Sequence, residues 1–132
     1  MPHCILEYSA NVVDQPDMTR LLMDIHDAIM ATGLFTLADI KSRAIRHEQY
    51  VIGNGDPERA FVTLNVQILE GRSDEMKAQI SEAALEVLKR AFPESLRQRK
   101  CSLTVQVSEI HRPSYRRHLS QEPQLRFTKE IP

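Results

Sequence analysis

Hydrophobic and polar positions along this chain follow two periods, and the same order of periods occurs twice. Residues 3–8 alternate loosely at a period of two, which is typical of a strand, whereas residues 17–32 carry apolar side chains three and four positions apart, which predicts a helix. A second strand is predicted over residues 38–52, with polar side chains on one side, and the cluster Gly53–Pro57 closes it. The first half therefore predicts a strand, a helix and a strand.

The second half of the chain repeats this plan. Residues 61–68 alternate strictly between apolar and polar, as in a strand with one buried face. Ser73 is a capping residue followed by two carboxylates, so a helix is predicted over residues 74–92, with Pro93 ending it. A last strand is predicted over residues 101–110. The order βαβ thus occurs twice.

The two halves match at an offset of 60 residues, which indicates an internal duplication. A right-handed βαβ crossover makes its two strands parallel, so the predicted fold class is α+β: two fused βαβ units form a four-stranded sheet with two helices on one face. We expect a single domain over 1–132, with repeat halves of about 2–57 and 58–110 and a C-terminal arm over 111–132. Because the other sheet face would be uncovered, a homo-oligomer that closes into a ring is expected.

Composition and charge exclude several classes of function. The 17 Lys and Arg residues nearly balance the 18 Asp and Glu residues, so no general attraction to nucleic acid or to an anionic membrane is expected. No apolar run reaches the length of a membrane span and no signal-peptide pattern occurs, which makes the cytoplasm the expected location. Cys4 and Cys101 are expected to be buried free thiols. The five histidines show no ligand spacing, so no metal and no cofactor is predicted.

Pro2 directly follows the initiator methionine. A small residue at this position usually permits removal of the methionine, and the proline nitrogen then changes from an amide into a secondary amine that can accept a proton. An α-amino group titrates near about 8, and nearby cations lower its pKa toward ambient pH, where a general base works best. The alternative is an ordinary first residue of an edge strand, where the missing N–H costs nothing.

Two stretches together resemble the tautomerase superfamily: Met1–His3 at the head of a strand, and residues 68–77, which run from a strand into a helix. Three further stretches are similar to its 5-carboxymethyl-2-hydroxymuconate isomerase family, at residues 31–35, 40–43 and 71–73. The resemblance implies a tautomerase fold, a homotrimer and a cofactor-independent isomerase of aromatic catabolism. Such an enzyme moves a proton in a small polyanionic substrate, an unsaturated 2-hydroxy dicarboxylic or tricarboxylic acid, to give the conjugated 2-oxo acid.

The resemblance also implies roles for four residues. Pro2 is the catalytic base, and Arg72 binds a substrate carboxylate. Lys41 stands where the related isomerases have an arginine, so it keeps the charge but loses the planar fork that grips a carboxylate through two hydrogen bonds. Arg43 matches a second arginine of the related isomerases. Strand alternation sends residues 41 and 43 to one face, so Arg43 either takes the place of Lys41 in binding a carboxylate or borders the substrate pocket.

The two halves carry different site residues. Val62 stands where a second catalytic proline would lie, and Val12 stands where a second arginine would lie. One active site per chain is therefore expected.

Other functions stay open on the sequence. The same proline would serve a phenylpyruvate-type tautomerase, a dehalogenase or a decarboxylase of the superfamily. A non-catalytic ferredoxin-like ligand-binding module has the same elements; an RNA-recognition domain would need stacking aromatics, of which the third strand offers only Phe61. The arginine-rich tail over 111–132 is either an arm around a neighbouring subunit or a partly disordered terminus.

Overall fold

The computed structural model describes residues 1–121, over which two strand–helix–strand units follow one another. The strands are β1 (His3–Ser9), β2 (Lys41–His47), β3 (Arg59–Leu69) and β4 (Lys100–Ile110). The helices are α1 (Met18–Met30), α2 (Asp74–Ala91) and α3 (Pro93–Gln98). None of the helices in this part of the chain has the length and apolarity needed to cross a membrane.

The strands form one sheet in the order β2-β1-β3-β4. β1 pairs with β2 in parallel and β3 pairs with β4 in parallel, as each βαβ unit requires. The two units join through an antiparallel pairing of β1 with β3, in which His3 lies opposite Gln67 and Leu6 lies opposite Leu64. The predicted α+β fold, a four-stranded sheet with helices on one face, is confirmed.

The core lies between one sheet face and helices α1 and α2. Asp17 caps α1 by accepting a hydrogen bond from Arg20 N, and Ser73 caps α2 through Met76 N. Alternate residues of the strands meet the apolar stripes of both helices: Cys4, Leu6, Val62, Leu64, Val66 and Ile68 from the sheet, with Leu21, Ile25, Ile29, Ile80, Ala84, Val87 and Leu88 from the helices. Burial raises the pKa of the Cys4 thiol to about 12, whereas Cys101 is only half-buried.

Two elements differ from the sequence prediction. β2 is shorter than the predicted strand over 38–52, because this edge strand pairs only with β1, whose ends His3 and Ser9 lie opposite Lys41 and His47. Residues Leu37–Asp39 form a 3-10 turn instead. Beyond the end of α2, Pro93 starts the short helix α3 rather than a loop, since a proline is well suited to the first turn of a helix.

The second face of the sheet is not covered by any helix of residues 1–121. We call it the open face; the strands place the following side chains on it: His3, Ile5, Glu7, Lys41, Arg43, Ile45, His47, Phe61, Thr63, Asn65, Gln67, Ser102, Thr104, Gln106 and Ser108. Polar pairs cross between neighbouring strands, such as His47 Nε2 with Glu7 Oε1 at 2.8 Å and Thr104 Oγ1 donating to Thr63 Oγ1 at 2.8 Å.

Candidate active site

A cavity of about 200 Å³ lies at the end of the sheet where β1 begins. Because β1 runs antiparallel to β3 and β3 runs parallel to β4, the start of β1 meets the carboxyl ends of both other strands. Four chain segments supply the lining: Met1 before β1; Leu34, Phe35, Thr36 and Asp39 between α1 and β2; Ile68, Leu69 and Arg72 around the end of β3; and Arg112, Tyr115 and Arg117 after β4. The fold thus brings residues more than a hundred positions apart into one site.

Arg72 is held against the cavity wall by the turn between β3 and α2. Gly71 precedes it with a φ of 116°, a backbone conformation that strongly favours glycine. The Arg72 Nη2 donates a hydrogen bond to Leu34 O at 3.2 Å, and its guanidinium carbon lies 5.6 Å from the Phe35 ring centroid. These contacts fix a planar cation at the cavity, where it can bind a carboxylate.

The amino terminus lies at the same cavity. Pro2 is buried, with its carbonyl accepting a hydrogen bond from Lys41 N at 3.1 Å, and the Met1 amino nitrogen donates to Asp39 O at 3.3 Å. Met1 lines the cavity while Pro2 does not. With Met1 attached, the Pro2 nitrogen is an amide and cannot accept a proton; loss of Met1 would give it an amine and open space beside it.

Lys41 and Arg43 both lie on the open face, at different distances from the cavity. Lys41 Nζ donates to Asp39 O at 3.3 Å, the same carbonyl that holds the terminal amino group, so Lys41 lies at the border of the cavity. Arg43 Nη1 lies 3.3 Å from His3 Nδ1 and is absent from the cavity lining. Burial, then the charges of Arg43, the amino terminus and Lys41, lower the pKa of His3, which faces away from Pro2 as alternation predicts.

Three cavity residues come from the segment after β4, which sequence reasoning treated only as an arm. Arg112, Tyr115 and Arg117 all line the cavity. Arg117 Nη1 lies 3.2 Å from Asp39 Oδ1, in an ion pair whose side chains are only 15% and 21% exposed. The sequence signal was the density of arginines directly after the last strand. Residues 122–132, including Arg126, lie outside the described residues.

The charges of the lining favour a small anion. Arg72, Arg112 and Arg117 face the cavity, and among residues 1–121 Asp39 is the only acidic residue of the lining. Such a cluster of guanidinium groups suits carboxylates, which they bind through paired hydrogen bonds. Within residues 1–121, no group of three or more His, Cys, Asp or Glu side chains is arranged to hold a metal ion.

Comparison with known proteins identifies relatives of this chain. The family model described as 5-carboxymethyl-2-hydroxymuconate isomerase matches residues 2–122. The 5-carboxymethyl-2-hydroxymuconate Delta-isomerase of Escherichia coli is 32% identical over 111 residues, which cover 84% of this chain and 88% of that protein. A solved 5-carboxymethyl-2-hydroxymuconate isomerase from Deinococcus radiodurans R1 superimposes with a TM-score of 0.82 at 31% identity, covering 89% of this chain and 88% of the other.

A more distant structure shares the fold. A fused 4-OT symmetric trimer matches with a TM-score of 0.70 at 17% identity, covering 96% of this chain and 98% of the other. The resemblance inferred from Met1–His3 and the strand-to-helix stretch at 68–77 is therefore confirmed. The chain belongs to the 5-carboxymethyl-2-hydroxymuconate isomerase family of the tautomerase superfamily, and it is an isomerase.

Proposed function

We propose that this isomerase converts 5-carboxymethyl-2-hydroxymuconate, or a closely related unsaturated 2-hydroxy acid, into the conjugated 2-oxo acid, with Pro2 as the general base. The observation that carries the proposal is that the amino-terminal segment and Arg72 meet at one cationic cavity. A base alone would accept a proton from many acids. A base beside fixed guanidinium groups selects an acid that carries carboxylates.

The proposed reaction moves one proton and two double bonds. The Pro2 amine takes the proton of the 2-hydroxyl group, and the oxygen lone pair forms the C=O bond. The C=C bond next to the hydroxyl-bearing carbon moves one position along the chain, and the electron pair of the second C=C bond takes up a proton from the Pro2 ammonium at the far carbon of the diene. One C=C bond then remains, conjugated with the new C=O bond. Atoms and electrons balance without an oxidant or a co-reactant. A positioned general base of this kind typically contributes about 100- to 10,000-fold in rate.

The cations at the cavity assist the same step. Arg72, fixed by Leu34 O and the Phe35 ring, binds a substrate carboxylate. Positive charge at the cavity also stabilises the dienolate that forms when the proton leaves. Lys41, whose backbone N donates to Pro2 O at 3.1 Å and whose Nζ donates to the cavity residue Asp39, lies near enough to the border to take part in both roles.

We further propose that the active protein is a homotrimer in which the open face is buried. Ile5 and Ile45 lie on this face together with Lys41 and Arg43, and the related fused 4-OT structure is a symmetric trimer. Burying the open face would place Arg43, which lies away from the cavity of its own chain, against a neighbouring chain. The site would then combine residues of more than one chain.

The central test is an ultraviolet assay of dienol-to-ketone conversion on protein whose intact mass shows complete loss of Met1. We expect turnover by this form and none by a chain that carries one extra residue before Pro2, because the nitrogen is then an amide. Arg72→Ala should lower kcat/KM by about 100-fold, since a charge-assisted contact is lost.

Pro2→Ala is the companion variant. It leaves a primary amine at the chain end, so reduced but measurable activity is expected. Full turnover by the extended chain would refute the proposed mechanism, and an inactive wild type in which Met1 is absent would refute the proposed reaction. A panel of oxo acids, including phenylpyruvate, separates this reaction from the other activities of the superfamily.

A further inference from the structure

The segment between α1 and β2 carries one wall of the cavity. Over residues 31–40 its only helical or strand element is the 3-10 turn Leu37–Asp39. This segment also orients Arg72, because Leu34 O accepts a hydrogen bond from Arg72 Nη2 and the Phe35 ring lies against the guanidinium. A segment with so little regular structure depends on side-chain contacts to hold its position. The placement of Arg72 therefore depends on how this segment is fastened.

Asp39 joins this segment to three other parts of the chain. Its Oδ1 lies 3.2 Å from Arg117 Nη1, and its backbone O accepts from Lys41 Nζ and from the Met1 amino nitrogen, each at 3.3 Å. The side chains of Arg117 and Asp39 are 15% and 21% exposed, so the ion pair is partly shielded from water. Solvent and salt weaken a shielded pair less than a surface pair. When Met1 is removed, its contact is lost and the ion pair with Arg117 remains.

The other partner of the pair follows a segment that is fastened to the sheet. Glu70 N donates to Ile110 O at 3.1 Å at the end of β4, and Arg112 N donates to Glu70 Oε2 at 2.8 Å. The 3-10 turn Arg112–Ser114 comes next, and Arg117 lies three residues beyond it. The ion pair thus ties an irregular segment to one that the ends of β3 and β4 hold in place.

Resting on the proposed function, we propose that Asp39 and Arg117 form a positioning pair for the cations that bind substrate carboxylates. Arg117 holds Asp39, the Asp39 carbonyl holds the Lys41 ammonium, and the segment that ends at Asp39 orients Arg72. Neither member of the pair transfers a proton or binds a carboxylate of the substrate. Loss of the pair leaves Arg72 and Lys41 present but less well placed, and a misplacement of about 1 Å can cost up to about 100-fold in rate.

Asp39→Asn separates positioning from direct binding. Asparagine keeps the shape and the backbone carbonyl of Asp39 but removes the charge that pairs with Arg117. If the pair positions Arg72 and Lys41, both D39N and Arg117→Gln weaken carboxylate binding. If Arg117 binds a substrate carboxylate itself, D39N releases its guanidinium and binding is retained or becomes tighter, whereas R117Q weakens it. The direction of the D39N effect therefore decides between the two roles.

Binding is measured by titration calorimetry with muconate, the diene dicarboxylate without the 2-hydroxyl group, which cannot undergo the proposed reaction. Kinetics are measured with 5-carboxymethyl-2-hydroxymuconate, a tricarboxylate, on protein whose mass shows loss of Met1. We expect Kd and KM to rise by about three- to tenfold in D39N and about tenfold in R117Q, with kcat within about threefold of wild type. The double variant should match R117Q within about twofold, because the two residues act as one pair. R117K, which keeps the charge, should lie between R117Q and wild type.

Arg20→Gln and Asp24→Asn are the matched controls, because this exposed ion pair lies on α1 and does not line the cavity. Both should leave Kd and KM unchanged. Unchanged or tighter muconate binding by D39N, or losses that add in the double variant, would overturn the positioning role. If R117Q does not fold, D39N and R117K decide by the direction of the change in Kd. A wild type that binds muconate but does not isomerise the tricarboxylate refutes the proposed function, and the muconate titrations still test the pair.

Discussion

At the scale of single residues, Lys41 stands at the position where the resemblance to the isomerase family implies an arginine. Its ammonium donates to Asp39 O, the carbonyl that also accepts from the terminal amino group. An arginine at this position would offer a planar fork, whereas lysine offers a compact point charge on a flexible stem. In the proposed mechanism, lysine at this position would retain the charge near Pro2 and relax the geometry of carboxylate binding.

Lys41→Arg and Lys41→Gln separate charge from geometry. We expect K41R to keep kcat/KM within about threefold of wild type, whereas K41Q should lower it by about tenfold or more because a cation is lost at the border of the cavity. Lys89→Gln is the control, since Lys89 lies on α2 and pairs with Glu86 at the surface. Steady-state kinetics on the tricarboxylate give the result, and equal activity of K41Q and wild type would remove Lys41 from the site.

At the scale of elements, one polar cluster fastens the loop after β1 to the start of α3. Asp14 Oδ1 accepts from Ser95 N at 2.6 Å and from Ser95 Oγ at 2.7 Å, while Oδ2 accepts from Glu94 N at 3.1 Å. The Ser95 hydroxyl accepts in turn from Val13 N at 2.8 Å. The carboxylate therefore caps a helix from some eighty residues away, and the fully buried Ser95 has its hydrogen bonds satisfied.

Ser95→Ala should destabilise the fold. It removes the hydroxyl and leaves Val13 N and part of the Asp14 carboxylate without a partner, which we expect to lower the free energy of unfolding by about 2 kcal/mol. Ser81→Ala is the control, because the Ser81 hydroxyl donates only to Ala78 O in its own helix. Urea denaturation measures both. Equal midpoints for the two variants would show that the cluster contributes little.

The same cluster gives stability a dependence on pH. Burial alone would raise the pKa of Asp14, but the hydrogen bonds from the Ser95 side chain and from the Ser95 and Glu94 amides outweigh it and lower the pKa below its ordinary value. A carboxyl group with a lowered pKa in the folded state stabilises the fold above its unfolded pKa, and this contribution is lost as pH falls through the folded pKa.

Asp14→Asn should therefore be less stable than wild type at pH 7, and the difference should shrink below about pH 4. Free energies of unfolding measured at pH 7 and pH 3 test this expectation. Asp24→Asn, which removes a surface partner of Arg20, controls for the loss of one carboxylate. If the free energies of unfolding of D14N and wild type differ by the same amount at both pH values, the pH dependence of stability does not come from ionisation of Asp14.

At the scale of the whole molecule, the open face relates the fold to the proposed assembly. The helices bury one side of the sheet, while Ile5, Ile45 and Phe61 remain on the other beside polar and charged neighbours. A mixed face of this kind suits a contact between identical chains that closes by rotation. Since Lys41 and Arg43 lie on it, assembly and catalysis would depend on one surface.

Ile45→Asp tests that dependence. A trimer of the 15.2 kDa chain has a mass of about 46 kDa, which light scattering measures. Ile45 is 43% exposed in the single chain, and a charge there should oppose burial of the open face. We therefore expect the I45D variant to have a mass closer to that of one chain and a lower turnover. Met23→Asp is the matched control, because Met23 is 51% exposed but lies on α1, away from the open face. A fully active I45D monomer would refute the proposed trimer.

Most of the elements were predictable because their signals are local. Three such signals depend only on residues close together in sequence: the strict alternation at 61–68, the apolar stripe at 17–32 and the capping Ser73. They correspond to β3, α1 and the start of α2. The extent of β2 was not predictable, since an edge strand ends where its partner ends. The cap that Asp14 gives to α3 was missed for a similar reason, because the two are some eighty residues apart.

The sequence by itself determined the βαβ repeat, the position of Pro2 before the first strand, and Arg72 as a candidate carboxylate-binding residue. Hydrophobic periodicity, covalent order and short motifs are properties of the chain alone, so these three points did not need the fold. Only the tertiary structure decided how the halves join. The antiparallel pairing of β1 with β3 places the amino terminus at the carboxyl ends of β3 and β4. That long-range pairing brings Arg72 to the amino terminus, adds Arg112 and Arg117 to the cavity, and leaves Arg43 on the open face.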